Sequence, residues 1–166
     1  MHAIDSPDAW DAAVVAPGTG TGTLARLGRV VLLVGSTDPA AVGPLLEQAE
    51  TVAANGGQGR QLVRGFALQL STAGDDVPAF VALAPHDTGL AVLLQGASAT
   101  VTVNGERISG ADSLAWVERL VPWPLTGLEA TVDDASAVGA GLFRLTDGVV
   151  PAGGFAVGEP AETSPV

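Results

Sequence analysis

The sequence predicts an α+β fold: a single domain in which an antiparallel β-sheet, laid out as a meander, packs against two to three α-helices. Three observations carry that expectation. Short β-branched runs bounded by Gly and Pro recur along the chain. Two segments between them repeat apolar residues at helical spacing. Near the middle, Ala99, Val101 and Val103 alternate with Ser98, Thr100 and Thr102 and run into Asn104-Gly105, the pattern of a half-buried strand entering a tight antiparallel hairpin. A chain of 166 residues suits one domain. Residues 1–12 read as an N-terminal tail of weak periodicity, 13–158 as the globular domain, and 159–166 as a polar, Pro-containing tail.

In chain order, Ala13 to Ala16 is a short apolar run that stops at Pro17-Gly18, and Thr19 to Gly22 has loop composition. Thr23 to Leu27 reads as a short strand and Leu27-Gly28-Arg29 as a turn. Val30 to Val34 is the clearest strand, apolar without interruption as in a central strand buried on both faces. Asp38-Pro39 then opens a helix, since Asp caps free amides and Pro lacks only an N–H that has no partner there. Its stripe is Val42, Leu45, Leu46, Ala49, Val52 and Ala53, and Asn55-Gly56-Gly57 ends it. A second helix spans about Gly59 to Thr72, with Leu62, Val63, Phe66, Ala67 and Leu70 inward and Arg60, Gln61, Arg64 and Gln69 on the wet side. Residues 79–109 read as a four-stranded meander, with Pro85 to Gly89 as one connection and Gly96 as a break. A third helix is expected from about Asp112, carrying Leu114, Ala115, Val117, Leu120 and Val121 until Pro122-Trp123-Pro124 stops it. Leu125 to Val132 is one more strand, residues 133–141 are loop-like, 142–145 a short element, and Val149 to Val157 completes the core.

Composition excludes much. With no Cys there are no disulfides, thiolate metal sites or cysteine nucleophiles. A net charge of −11 opposes binding to a phosphate backbone. All seven basic side chains are Arg, so the Gly-Thr-Gly-Thr-Gly stretch at 18–22 has neither the Lys nor the spacing of a phosphate loop. No apolar run approaches the roughly 18–20 residues that span a bilayer, and the acidic N-terminus lacks the pattern of an export signal. The expected location is therefore cytoplasmic, with no membrane insertion and no nucleic-acid partner. Absent Lys and Tyr, with abundant Ala, Gly, Val and Arg, also fit the codon supply of a high-GC bacterium.

Few residues suggest chemistry. His86 sits beside Asp87 in a turn, where the two side chains of an extended chain diverge, and it reads as a solvated turn residue. The pairs Asp75-Asp76 and Asp133-Asp134 could hold a divalent cation, but Asp also serves turns and caps. No catalytic residue, metal ligand or cofactor is assigned. The candidate binding residues are Trp116, Arg119, Trp123 and Arg107, because aromatic side chains and Arg dominate interface hot spots. The competing reading makes Trp116 core, Arg119 a surface ion-pair partner and Trp123 a packing lid.

Taken together, Asp-Asp-Val-Pro-Ala-Phe-Val-Ala-Leu-Ala-Pro (75–85), Gly-Leu-Ala-Val-Leu-Leu-Gln-Gly-Ala (89–97), Ser-Gly-Ala-Asp-Ser-Leu-Ala-Trp-Val-Glu-Arg (109–119) and Asp-Gly-Val-Val-Pro-Ala-Gly-Gly-Phe-Ala-Val (147–157) resemble the N-terminal region of forkhead-associated (FHA) domain proteins of high-GC Gram-positive bacteria. The resemblance runs over residues 13–158. It implies a companion domain of a signalling protein; phosphothreonine reading belongs to the FHA domain itself and is not carried over to these residues. A fainter resemblance, in architecture, is to metal-dependent serine/threonine phosphatases. Their metal motif follows an early strand, whereas here Val30–Val34 leads into Gly35-Ser36-Thr37-Asp38-Pro39, which implies a non-catalytic relative.

The expected function is thus a non-enzymatic, cytosolic protein-interaction or regulatory module. The alternative is a domain that binds a divalent metal or a small ligand.

Overall fold

The computed structural model describes residues 4–72, 77–132, 145 and 147–158. Its strands form two antiparallel sheets, joined by helices into one compact α+β domain. The strands are β1 (Val14–Pro17), β2 (Thr23–Leu27), β3 (Val30–Val34), β4 (Phe80–His86), β5 (Gly89–Gln95), β6 (Thr100–Val103), β7 (Glu106–Ser109), β8 (Trp116–Pro122), β9 (Leu128–Thr131), β10 (Gly148–Pro151) and β11 (Gly154–Gly158). The helices are α1 (Pro7–Ala12), α2 (Pro39–Ala54) and α3 (Gly59–Thr72). One sheet runs β1-β11-β9-β6-β7 and the other β10-β2-β3-β4-β5-β8.

The two faces of the larger sheet do different work. On one, Leu24, Val31, Leu33, Val81, Leu83, Leu90, Val92 and Leu94 meet Val101, Ile108, Leu128, Ala130 and Phe155 of the smaller sheet. On the other, Ala25, Val30, Leu32, Val34, Phe80, Ala82, Ala84 and Leu93 meet Val42, Leu45, Ala49 and Val52 of α2 and Leu62 and Phe66 of α3. The order is therefore helix layer, sheet, sheet. β3 is buried at all five positions because side chains alternate between these two cores. Alanines on the helix side let α2 and α3 sit close, and the Phe66 and Phe80 rings meet at 5.3 Å, tilted by 42°.

The helix starts follow the expected chemistry. Asp38 Oδ1 accepts from the Ala40 amide at 3.0 Å, ahead of Pro39. Ser6-Pro7 repeats the device, with Ser6 Oγ accepting from Ala9 N–H at 3.1 Å. The segment read as a tail thus holds α1. Ile4 bridges Leu125, and Trp10 is only 1% exposed. Beneath it Arg26, 2% exposed, donates from Nη1 to the Ala13 carbonyl at 2.5 Å and from Nη2 to those of Trp10 and Asp11 at 3.2 and 3.3 Å. Trp10 Nε1 returns a bond to the Arg29 carbonyl at 2.8 Å.

Two finer expectations are corrected. Residues 79–109 do not form one continuous meander: β4–β5 and β6–β7 are hairpins in different sheets, and β5 pairs with β8 rather than β6. The chain changes sheet at Gly96, where φ is +92°, and a side chain at Gly110 would run into the Gly96 carbonyl. The third helix near Asp112 is also absent. A single 3-10 turn, Gly110–Asp112, capped by Ser109, gives way to β8. The apolar positions Val117 and Val121 suit a helix, but they share one face of a strand as well, and pairing with β5 over seven residues decides between them. The Asn104-Gly105 hairpin is as expected, with φ of +54° and +78°. The acid pairs 75–76 and 133–134, and residues 142–144, lie outside the described residues.

Candidate functional site

The most exposed large strand surface lies at one edge of the six-stranded sheet. β8 pairs with β5 alone among the described residues, so its outer row of backbone N–H and C=O groups has no strand beside it. Alternation sorts its side chains. Val117 and Val121 turn toward the smaller sheet. Trp116, Glu118 and Leu120 turn toward the helix side, opposite Gln95, Leu93 and Ala91 of β5. Trp116 packs, partly buried, against the helix-side core, but the helix layer stops short of the rest: α3 covers β4 and β5, and Leu120 stays 48% exposed.

Between α3 and β8 this leaves a recess of about 370 Å³. Its floor is Ala91 and Leu120, its walls are Arg60, Val63 and Arg64 on one side and Glu118 on the other, and His86 closes one end. The close seating of α3 sets that shape. A Cβ on Gly59 would lie 2.6 Å from the Ala91 methyl and 3.1 Å from the Ala84 carbonyl, so only Gly lets the helix start so near the sheet. A smaller hollow of about 190 Å³ adjoins it, sharing Arg60 and His86 and bounded by Pro7, Arg29, Gln58, Pro85 and Asp87.

The cations here differ in how they are engaged. Arg29 Nη2 pairs with Asp11 Oδ2 at 2.7 Å, and that hydrogen bond raises its pKa above the usual arginine value. Arg26 is pulled below it by burial, against the opposing pull of Asp11 and Asp147. Arg60 and Arg64 are exposed, one turn apart on α3, and have no ion-pair partner among the described residues. Glu118 accepts the Trp116 indole N–H at 3.0 Å, and His86 Nδ1 lies 3.2 Å from Thr88 Oγ1.

Of the four residues expected to bind a partner, two lie on this edge strand, one is spent on packing and one belongs to the smaller sheet. Trp116 and Arg119 lie on β8 itself. Arg119 borders the recess, but its guanidinium turns the other way and meets Glu106 Oε2 of β7 at 2.9 Å. β7 is an edge strand of the smaller sheet, so this exposed ion pair spans the two open edges. Arg107, next along β7, is exposed but alternates with Ile108 of the inter-sheet core, so it stands on the outer face of the smaller sheet. Trp123 packs against the inter-sheet core and donates from Nε1 to the carbonyls of His86 and Asp87 at 3.0 and 3.2 Å, which makes it a lid over the β4–β5 turn.

Arg60 and Arg64 were not singled out from the sequence. Their signal is a four-residue spacing on the polar face of a helix, which marks solvent as readily as a site. Asp38, the carboxylate after β3, is engaged as the cap of α2. Among the described residues, no three of His, Asp and Glu lie close enough to share a metal ion, and no helix is long and apolar enough to cross a membrane.

Comparison with models of known protein families, with curated proteins and with solved structures finds no match.

Proposed function

We propose that this domain is a non-enzymatic protein-interaction module, which receives an extended segment of a partner along β8. One observation carries the reading: a seven-residue edge strand, with no strand on its outer side among the described residues, runs beside an open, apolar-floored recess. Strand addition at such an edge supplies backbone hydrogen bonds for affinity, and alternate side chains falling into the recess supply selectivity. The resemblance to the region accompanying FHA domains supports a place in a signalling protein, where such a module would hold a partner.

Self-pairing of β8 in its two central registers is disfavoured by its own charges. A two-fold antiparallel pairing centred on Arg119 sets Arg119 against its copy, and one centred on Glu118 sets Glu118 against its copy. Charged residues and a proline such as Pro122 are the usual guards against edge-to-edge aggregation.

The test is affinity capture with three forms of the domain. Proteins held by the wild type should be lost from Leu120→Asp and kept by Val149→Asp. Val149 is 50% exposed on β10, the opposite edge of the same sheet, so it controls for a general effect of added charge. The same proteins on all three forms would remove β8 as the contact surface.

A further inference from the structure

The geometry points to an acidic peptide as the occupant: the strand that pairs with β8 places carboxylate side chains, on the helix side of the sheet, against Arg60 and Arg64. This rests on the proposed docking at β8 and adds the partner's chemistry to it.

The argument is one of charge. The chain carries seven arginines against 18 acidic side chains, so most of its surface repels an anion. Among the described arginines, Arg26 is buried under α1, Arg29 is held by Asp11 and Arg119 by Glu106. Arg60, Arg64 and Arg107 are left over; Arg107 stands on β7, away from the recess, whereas Arg60 and Arg64 both wall it. The facing acids are Glu118, whose carboxylate already accepts the Trp116 indole N–H, and Asp87 at the mouth of the adjoining hollow. An added strand presents alternate side chains on the helix side of the sheet, the side on which both arginines stand. Carboxylates at those positions can form paired hydrogen bonds with guanidinium groups. A long polyanion would gain the same two contacts but meet the repulsion of the whole molecule; a short segment meets only the local field.

The experiment is an NMR titration of the intact chain with a capped peptide, as long as β8, in which valine and glutamate alternate. Matched peptides carry glutamine or lysine in place of glutamate. The glutamate peptide should shift the backbone amides of Trp116 to Val121 and the Nε–H signals of Arg60 and Arg64. It should bind roughly tenfold more tightly than the glutamine peptide, as charge-assisted contacts do against neutral ones, and lose that advantage in high salt. In the Arg60→Gln/Arg64→Gln double variant the two peptides should bind alike. The lysine peptide on the wild type should bind weakest, a result that depends on no variant folding. Equal binding of all three peptides at β8 would overturn the acidic occupant and leave strand docking in place. If no peptide shifted β8, both would fall.

Discussion

β3 and β8 belong to the same sheet, with two strands between them, yet they live in different surroundings. β3 reads Val-Val-Leu-Leu-Val and is buried at every position; β8 reads Trp-Val-Glu-Arg-Leu-Val-Pro and buries only Val121 fully. β3 has a core on each side, so any apolar residue fits and any polar one is costly. β8 has a core on one side only, and beyond the reach of α3 its other side is open. A strand that need not be apolar can carry charge, and in this sheet it carries Glu118 and Arg119 at the one long edge. The contrast assigns stability to the centre of the sheet and, under the proposed function, recognition to its rim.

Substitutions should separate the two. Leu33→Ala in β3 deletes a fully buried side chain between the sheets and should lower unfolding stability in denaturant by about 2–5 kcal/mol. A loss under about 1 kcal/mol would mean that the inter-sheet core is far looser than its burial indicates. Arg26→Ala should follow, at roughly 1–3 kcal/mol, because the carbonyls of Trp10, Ala13 and Asp11 lose their donor. The effect should be accompanied by early proteolytic cutting near α1. An intact α1 with unchanged protection would show that Trp10 and the Ile4–Leu125 bridge hold the segment without Arg26.

The edge should be quieter. Leu120→Ala removes a half-exposed side chain and should change stability by less than about 1 kcal/mol, while weakening capture of any partner that docks at β8. A large loss of stability would move Leu120 from the recognition surface into the core. Smallest of all is the Glu106–Arg119 pair. A double-mutant cycle should give at most about 1 kcal/mol of coupling, shrinking as salt is added, since both side chains are substantially exposed. Coupling well above that, and insensitive to salt, would make the pair a structural tie rather than a rim contact.

How legible each part was follows from the same physics. β3, α2, α3 and the Asn104-Gly105 hairpin announce themselves through local rules of alternation, capping and turn geometry. Ser6-Pro7 obeys the same start rule as Asp38-Pro39, but α1 is one and a half turns long and shows no periodicity to accompany its cap. β8 looks helical in sequence because its alternation is broken, with Arg119 on the face of Val117 and Val121 and with Trp116 and Leu120 on the open face, while Leu114, Val117, Leu120 and Val121 recur at three and four. Trp116 and Arg119 were visible as residue types, whereas Arg60 and Arg64 on a polar helix face looked like ordinary solvent-facing cations. Only their position across from an uncovered strand distinguishes them.

Local chemistry in the chain therefore settles the α+β class, the central strand, the two long helices and the tightest turn, since each depends on neighbours within a few residues. Which strands share a sheet, which end of the chain is buried and which edge stays open depend on pairing over long separations. Gly96 sends β6 to the second sheet, β8 returns to fill the place beside β5, and α3 reaches just far enough to leave a gap. Those choices are made by competition among strands for the same hydrogen-bonding edges and the same core volume, and no local pattern records the outcome.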